Sequence, residues 1–534
     1  MPTLDLSELN VVVGVFGSYI AVYGLFAAKI KNAWFIGEAL PALVLGVILG
    51  PVSARFLSPE RWGSATPGQK EAITLGVMRV IIGIQLVIAG YQLPAKYLRW
   101  RCKELFVSLV PIKTLMWLST SLCVFATIPR LSLLAALVIG ACVTSIDPIL
   151  SQAVAKGPFA DKYVTRSLRE IISAEAGAND GFGSPFLMLS VNLLRLSLGR
   201  PVTIVDSLRG VGRHPSNLGT ALGNWAIETL VYIVLLAIVY GALTGFCARM
   251  AVRFSLSHKL IDSESYLLFP TALGLFIVGT CGAIGTSDLL ACFVAGCALN
   301  WDGHFLVETE RRHDQVNGCI DVILNFGGFL YVGAALPWDE FHQPHVTGIT
   351  YPRLIGLGIL VLLFRRIPAL LLTYKAIPSV VKNWKEAVFM GYFGPIGVGA
   401  VYYLEHTRLL FSDKNTGEKV LLDALSPVVY FLVLTSIVVH GLSIPVLSAL
   451  YKFYGANTIT DDAVVICRRS RYEPMPSNAL RGDQSTFIVY NRFFRPLASS
   501  LDMLALTRIG SRDEQCNSTI EPEIGEQDGK SGTR

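Results

Sequence analysis

Apolar windows of about twenty residues recur along the chain as far as residue 451, and each is long enough to cross the hydrocarbon core of a bilayer as a helix. Backbone polar groups inside a bilayer must be satisfied within the protein, so only helices and closed barrels span it. The length and unbroken apolarity of these windows fit helices, and the chain is expected to be an all-α polytopic membrane protein. About thirteen transmembrane windows can be counted: 9–28, 34–57, 72–93, 105–127, 131–155, 168–198, 222–248, 265–281, 285–300, 316–337, 354–376, 384–405 and 422–451. Of the 534 residues, 52% are apolar and 16% charged, with a mean hydropathy of +0.52, which excludes an ordinary soluble domain.

The basic residues lie between the hydrophobic segments instead of forming one patch, so the pI of 8.7 is read as membrane orientation and not as nucleic-acid binding. One alternating set of loops holds Lys29 and Lys31, then Lys96, Arg99, Arg101 and Lys103, then Lys156, Lys162, Arg166 and Arg169, with further clusters at Arg249, Arg253 and Lys259, at Arg311 and Arg312, and at Lys375, Lys382 and Lys385. The other set has fewer, although Arg195, Arg200, Arg209 and Arg213 dilute the contrast. The richer set is expected to be cytoplasmic, with the N-terminus outside and the tail inside. No cleavable leader is expected, because Val11 to Ala28 is followed by KIKN and a second span. The ten cysteines show no metal-type spacing and read as buried, reduced thiols. Residues 1–451 are thus expected to form the transmembrane domain. Residues 452–534 turn polar and are expected to be a largely disordered cytoplasmic tail, where the Asn517-Ser518-Thr519 sequon would not be glycosylated.

Between Ala141 and Asp180 the chain carries carboxylates where a span should have none. Asp147 precedes Pro148 inside the 131–155 window, and Glu175 and Asp180 lie inside 168–198. Each ionisable group at bilayer depth costs at least ~2.5 kcal/mol, so such groups persist mainly where they pair, line water or handle ions. Pro148 removes a donor and disfavours helix at Asp147, which predicts a break over Thr144 to Pro148 with carbonyls exposed beside the carboxylate. A second interruption, GYFGPIGVG at Gly391 to Gly399, falls in the twelfth window. Two interrupted helices, one late in each half, point to an inverted-repeat transporter with its site at the midplane.

In the sixth window Glu175 and Asn179 share one helix face, and Ala176 and Asp180 the adjacent one. Arg365 and Arg366 lie in or near the eleventh span, and one of them paired with Glu175 would neutralise it. Asp147 and Asp180 could then take turns with a proton and a metal cation. Lys113 sits inside the fourth window, where it either snorkels to the interface or balances an aspartate. Asp288 is expected to cap the ninth span, while His304, His313, His342, His345 and His406 are expected outside the spans. No nucleophile with its base and no cofactor motif is visible, so an enzyme is not expected.

At these residues the chain resembles the fungal plasma-membrane alkali-cation/proton antiporters of the monovalent cation:proton antiporter superfamily. The resemblance runs over roughly residues 10–450 and is carried by ACVTSIDP, LREIISAEAGANDG, DLLACFVAGCALNWDGHF, ETERRHDQVNGCIDVILNFGGFLYVGAALPW, RRIP and GYFGPIGVGAVYY. It implies about thirteen spans in an inverted-repeat antiporter fold with two crossed, unwound helices, core and dimerisation bundles, a homodimer, and exchange of Na+ or Li+ for H+, with K+ a further candidate. It implies that Asn179 and Asp180 hold the central site, that Asp147 lies at the crossed helix, that Glu175 pairs with Arg366 before Arg365, and that Asp288 is associated with transport. Four positions depart from the family pattern: Ile146 and Ala176 replace hydroxyl residues, Ser287 replaces one of a pair of acids, and Gln92 replaces another acid. The departures permit two competing readings, a transport-altered homologue acting as a sensor or regulator, and a cation channel.

Overall fold

The computed structural model describes residues 8–34, 36–62, 68–156, 158–199, 218–312, 316–411, 416–459, 463–467, 479–481 and 486–490. In chain order the helices that build and carry the site are α1 (Glu8–Ala33), α2 (Ala39–Leu49), α3 (Gln69–Tyr91) and α4 (Cys102–Thr127), then α5 (Leu133–Cys142) and α6 (Pro148–Lys156). They continue with α7 (Arg166–Gly181), α8 (Ser184–Ser197), α9 (Ala221–Ser257), α10 (Ser263–Ile284) and α11 (Asp288–Leu299). The last are α12 (Val316–Ala334), α13 (Tyr351–Phe364), α14 (Ile367–Thr373), α15 (Trp384–Tyr392), α16 (Val398–Leu410) and α17 (Thr416–Phe453).

Every apolar window holds helix, but not every window is one continuous helix. Among the described residues eight helices are long and apolar enough to cross a membrane, or nine if α11 and the segment His304–Arg311, bent by 79° from it, count as one. The expected count of thirteen crossings is therefore not matched by thirteen long helices. The shortfall includes windows that divide, because 131–155 splits into α5 and α6, 168–198 bends between α7 and α8, and 384–405 splits into α15 and α16. The boundary in the 265–300 region falls at Gly285, with φ +79°, followed by Ser287 as the N-cap of α11. Ser287 accepts from the Leu290 N–H at 3.4 Å, so the capping role expected of Asp288 belongs to its neighbour.

Lipid tails are as apolar as the helix surfaces, so close packing, and not exclusion of water, joins spans. Small residues make it possible here. Gly90 on α3 and Gly296 on α11 face each other's backbone, and Gly46 on α2 meets Gly333 on α12 in the same way. Gly241 and Gly245 on α9 lie against Ala291 and Ala295 on α11, placing α11 at the centre of a three-helix contact with α3 and α9.

Beyond α17 the described residues include a three-stranded antiparallel sheet, β1 (Ala463–Cys467), β2 (Ala479–Arg481) and β3 (Thr486–Tyr490), in the order β1-β3-β2. The sequence reading named no strands in this segment. AVVIC and TFIVY are runs of β-branched and aromatic residues, and Val465 pairs with Ile488 across them. The sequon at 517–519 and His313 lie outside the described residues.

The glycine contacts give a test. Gly296→Val should cost about 1–3 kcal/mol through overpacking, seen as loss of monodisperse protein in fluorescence size-exclusion chromatography. Gly279→Val, whose Cβ would meet no atom within 4 Å, should leave the profile unchanged.

Candidate cation site at the crossed helices

Two helix breaks meet in the core. The first covers Val143–Asp147 between α5 and α6, the second Phe393–Gly397 between α15 and α16. They touch directly, since the Asp147 N–H donates to the Pro395 carbonyl at 2.8 Å. Pro148 opens α6 at a position where its missing N–H costs nothing, and the Asp147 carboxylate caps that helix through Oδ2, which accepts from the Leu150 N–H at 3.0 Å. The other oxygen, Oδ1, is buried and makes no hydrogen bond of normal geometry among the described residues, with the Val398 N–H lying beside the carboxylate.

Asp180, near the C-terminus of α7, is fully buried, and neither of its carboxylate oxygens accepts a hydrogen bond of normal geometry among the described residues. The Ser145 hydroxyl lies beside it. The N-terminus of α16 closes over both aspartates: a Cβ on Gly399 would lie 2.5 Å from Asp180 Oδ1, and one on Gly397 would collide with the Asp147 carboxylate. Glycine is needed at both positions so that backbone can approach this closely. The unpaired N–H groups of a helix start favour negative charge, which offsets part of the cost of burying two carboxylates together.

Three cations surround this pair. Arg366 Nη2 donates to Glu175 Oε2 at 2.7 Å, with side-chain exposures of 3% and 1%. That leaves Arg365 for a different task. Its guanidinium donates to the carbonyls of Thr144 (2.9 Å), Ser145 (2.8 Å) and Gly394 (2.5 Å), so one side chain satisfies acceptors from both breaks. The exposed carbonyl expected at Thr144 accepts from Arg365, and the Thr144 hydroxyl donates to the Gly140 carbonyl at 2.5 Å, so both oxygens of Thr144 are engaged in this conformation. Lys113 does not snorkel. It is fully buried, with Nζ donating to the Asn179 carbonyl at 2.7 Å and to Asn179 Oδ1. A π-helical turn, Ser108–Ile112, with Pro111 inside it, precedes Lys113 in α4.

Asp288 is brought near the site's rim but not into it. It pairs with Arg79 of α3, Nε to Oδ2 at 2.7 Å, a partner that the sequence did not suggest. Ser287 donates to the Gly181 carbonyl at 3.4 Å, which ties the start of α11 to the end of α7. Ile146 and Ala176 are buried beside the aspartates and contribute no oxygen from their side chains. Gln92 stands past the end of α3. His406 was expected outside the spans; it is half-buried in α16, its ring stacked on Tyr402 at 6.0 Å.

Sequence reading also passed over Tyr403, whose hydroxyl donates to the Asp180 carbonyl and accepts from the Gly183 N–H at 3.1 Å. Ser436 and His440 on α17 contact the second break and were missed as well. For His440 the signal was available, because an ionisable residue within an apolar window is a functional candidate by default.

Two broken helices meeting over buried carboxylates place the chain among membrane proteins of the crossed-helix type. Residues 16–450 match the family described as sodium/hydrogen exchanger, transmembrane, and the chain belongs to that family. It is 37% identical over 455 residues to a probable Na+/H+ antiporter of Schizosaccharomyces pombe, covering 83% of this chain and 56% of that one. Against the Na+/H+ antiporter 2 of Zygosaccharomyces rouxii it is 33% identical, covering 83% and 53%. A second Na+/H+ antiporter of Schizosaccharomyces pombe is 31% identical, with 83% and 91% covered. The chain thus spans about half the length of the first two relatives. The fold matches the sodium proton antiporter MjNhaP1 of Methanocaldococcus jannaschii, with TM-score 0.54, 16% identity, and 83% and 97% of the two chains covered.

Removing one partner of a buried pair strands the other's charge. Glu175→Gln should therefore destabilise by about 3–5 kcal/mol, read as a fall in Tm in detergent. The double change Glu175→Leu with Arg366→Met should recover much of that loss; equal losses would mean the two charges do not compensate each other.

Proposed function

We propose that the chain is a secondary antiporter that exchanges Na+ or Li+, with K+ a further candidate, for protons, and that Asp180 is the group the two compete for. The observation that supports this most is the set of four buried carboxylate oxygens, both of Asp180 and one each of Asp147 and Glu175, that make no hydrogen bond of normal geometry among the described residues; only Asp180 has both of its oxygens in that set. Anionic oxygens withdrawn from water and left without donors bind a hard monovalent cation or a proton, and the two exclude one another.

Charge bookkeeping favours a simple cycle. Asp147, Glu175 and Asp180 face Lys113, Arg365 and Arg366, three acids against three bases, all buried. With all six ionised the cluster is neutral, and either a bound cation or a proton on Asp180 adds one positive charge. The two loaded forms then carry equal charge, which argues for one-for-one, electroneutral exchange. Asp147 and the start of α16 assist Asp180. Asn179 is held by Lys113 and acts as a positioning residue unless that lysine moves. Alternating access follows from rocking of the broken-helix bundle against its partner bundle. Plasma-membrane exchange by a homodimer is carried by the resemblance set out from the sequence, and the distribution of basic loops supports an external N-terminus and a cytoplasmic tail.

A second reading has a specific observation in its favour. The neutral ligands nearest the aspartates are already occupied by internal cations, Lys113 on Asn179 and Arg365 on Thr144 and Ser145. A homologue arrested in this state would sense rather than carry ions. Restoration of salt tolerance to a cell lacking its own exporters would support the carrier and exclude the sensor.

The central test uses the purified chain in lipid vesicles. Na+-driven proton flux should be lost in Asp180→Asn, and near-normal flux in that variant would overturn the assignment. Under voltage clamp the wild-type flux should be independent of membrane potential; a voltage-dependent rate would reject the electroneutral cycle while leaving Asp180 in place.

A further inference from the structure

The second break leaves backbone groups that local hydrogen bonds satisfy only in part: the Gly394 N–H donates to the Tyr392 carbonyl at 2.9 Å and leaves that oxygen one further lone pair, while the Ile396 N–H has no helical acceptor. On its near side is the Tyr392 carbonyl, the last residue of α15, and on its far side is the Ile396 N–H, just before α16. Both are met from one face of α17. The Ile396 N–H donates to Ser436 Oγ at 2.7 Å, Ser436 Oγ lies 3.1 Å from His440 Nδ1, and His440 Nε2 lies 2.9 Å from the Tyr392 carbonyl. Ser436 and His440 are four residues apart, one turn of helix, and both are buried, with exposures of 2% and 6%.

We propose that Ser436 and His440 are positioning residues for the cation site, forming a hydrogen-bond relay that fixes the spacing of the second break and so the placement of Gly397–Gly399 against Asp147 and Asp180. The proposal rests on the antiporter reading above for its assay, and on the backbone geometry for its content. A neutral ring protonated on Nε2 completes the relay: Ser436 accepts from Ile396 and donates to Nδ1, and Nε2–H donates to Tyr392. Nδ1 also lies 2.8 Å from the Ser436 carbonyl, nearer than the hydroxyl, so a doubly protonated ring would donate there without moving and release the hydroxyl. The charged groups facing the ring are Arg365 and Arg366, and both oppose a third positive charge there. On the other sides the ring meets Tyr392 and Phe393, with centroid separations of 5.4 Å and 6.4 Å.

The relay acts at a distance from the ions but on the atoms that surround them. Ile396 is one residue from Gly397 and three from Gly399, the two positions where backbone touches the aspartates. Misplacing reacting or binding groups by about 1 Å can cost a hundredfold, so loosening this anchor should weaken cation binding before it unfolds the protein.

The test compares four full-length variants in vesicles, with the KM for Na+ and the maximal flux measured separately between pH 6 and 8. His440→Leu keeps volume and removes both hydrogen bonds, and should raise KM about tenfold or more. Ser436→Ala should act in the same direction. His440→Gln offers one donor and one acceptor, like the neutral ring, and should keep KM within about threefold. Ser443→Ala, which removes a different hydroxyl contact between α17 and Tyr392, controls for general loosening and should leave KM unchanged. An unchanged KM in His440→Leu, or equal damage in His440→Gln and His440→Leu, would overturn the relay. If His440→Leu does not fold, Ser436→Ala alone decides by the same KM criterion. Absence of Na+-driven flux in the wild type would instead refute the antiporter reading, and the relay would then be judged by hydrogen exchange at the Ile396 amide, which should speed up in Ser436→Ala; an unchanged rate would overturn it.

Discussion

Backbone that stops being helical in the middle of a bilayer releases donors and acceptors into surroundings with no water to receive them, and each group left unpaired costs several kcal/mol. The core of this protein is arranged around that constraint. Thr144 and Ser145 give up carbonyls at the first break; Tyr392, Phe393, Gly394 and Pro395 do so at the second, where Ile396 adds a free N–H. Each of these has a partner: Arg365 for Thr144, Ser145 and Gly394, Arg366 for Phe393, the Asp147 amide for Pro395, Ser436 for Ile396 and His440 for Tyr392. Four of those partners come from outside the broken helices, so the breaks persist only while α13, α14 and α17 hold them.

This arrangement explains why so many charges sit together at mid-depth. Guanidinium groups satisfy several carbonyls with one rigid, planar fork, which lysine could not do from the same position. Their charge then requires acids nearby, and Glu175 discharges that duty for Arg366. Asp147 meets part of its own need by capping α6. Asp180 alone among the three acids has both oxygens left over. The two breaks therefore create the candidate cation site as a remainder: once the backbone is satisfied and the arginines are balanced, the unspent capacity is anionic and lies at the point where the helices cross.

Much of this was legible in the chain because it depends on local chemistry. Pro148 after Asp147 and the glycine-rich run ending at Gly399 mark the breaks through backbone conformation alone, and the placement of Glu175 and Asp180 on α7 follows from helix periodicity. Partners that depend on tertiary placement were not legible. Nothing in the sequence around Arg79 relates it to Asp288, 209 positions later, and the choice of Lys113 between the interface and the core is decided by how α4 packs on α7. The partner of the Thr144 carbonyl was not legible for the same reason, since nothing near it in the sequence announces the arginine from α13's end. The tail sheet was missed because charged and glycine-rich segments around AVVIC and TFIVY outweighed two short β-prone runs.

The departures from the family pattern acquire a physical meaning in this setting. Ile146 and Ala176 stand where hydroxyls were expected, and both side chains are buried beside the aspartates. With those oxygens absent and the carbonyls of Thr144 and Ser145 held by Arg365, the ligands nearest the site reduce to carboxylate oxygens and the Ser145 hydroxyl. A cation entering such a site keeps part of its water, or draws Arg365 or Lys113 away from the atoms they hold. The first course relaxes discrimination by ion size, because retained water adapts its geometry to the ion. The second couples ion entry to release of a helix break, since a cation that displaces Arg365 takes over acceptors from both breaks at once. Either way, under the proposed antiport the selectivity of such a site depends less on the aspartates than on how firmly the internal cations are seated.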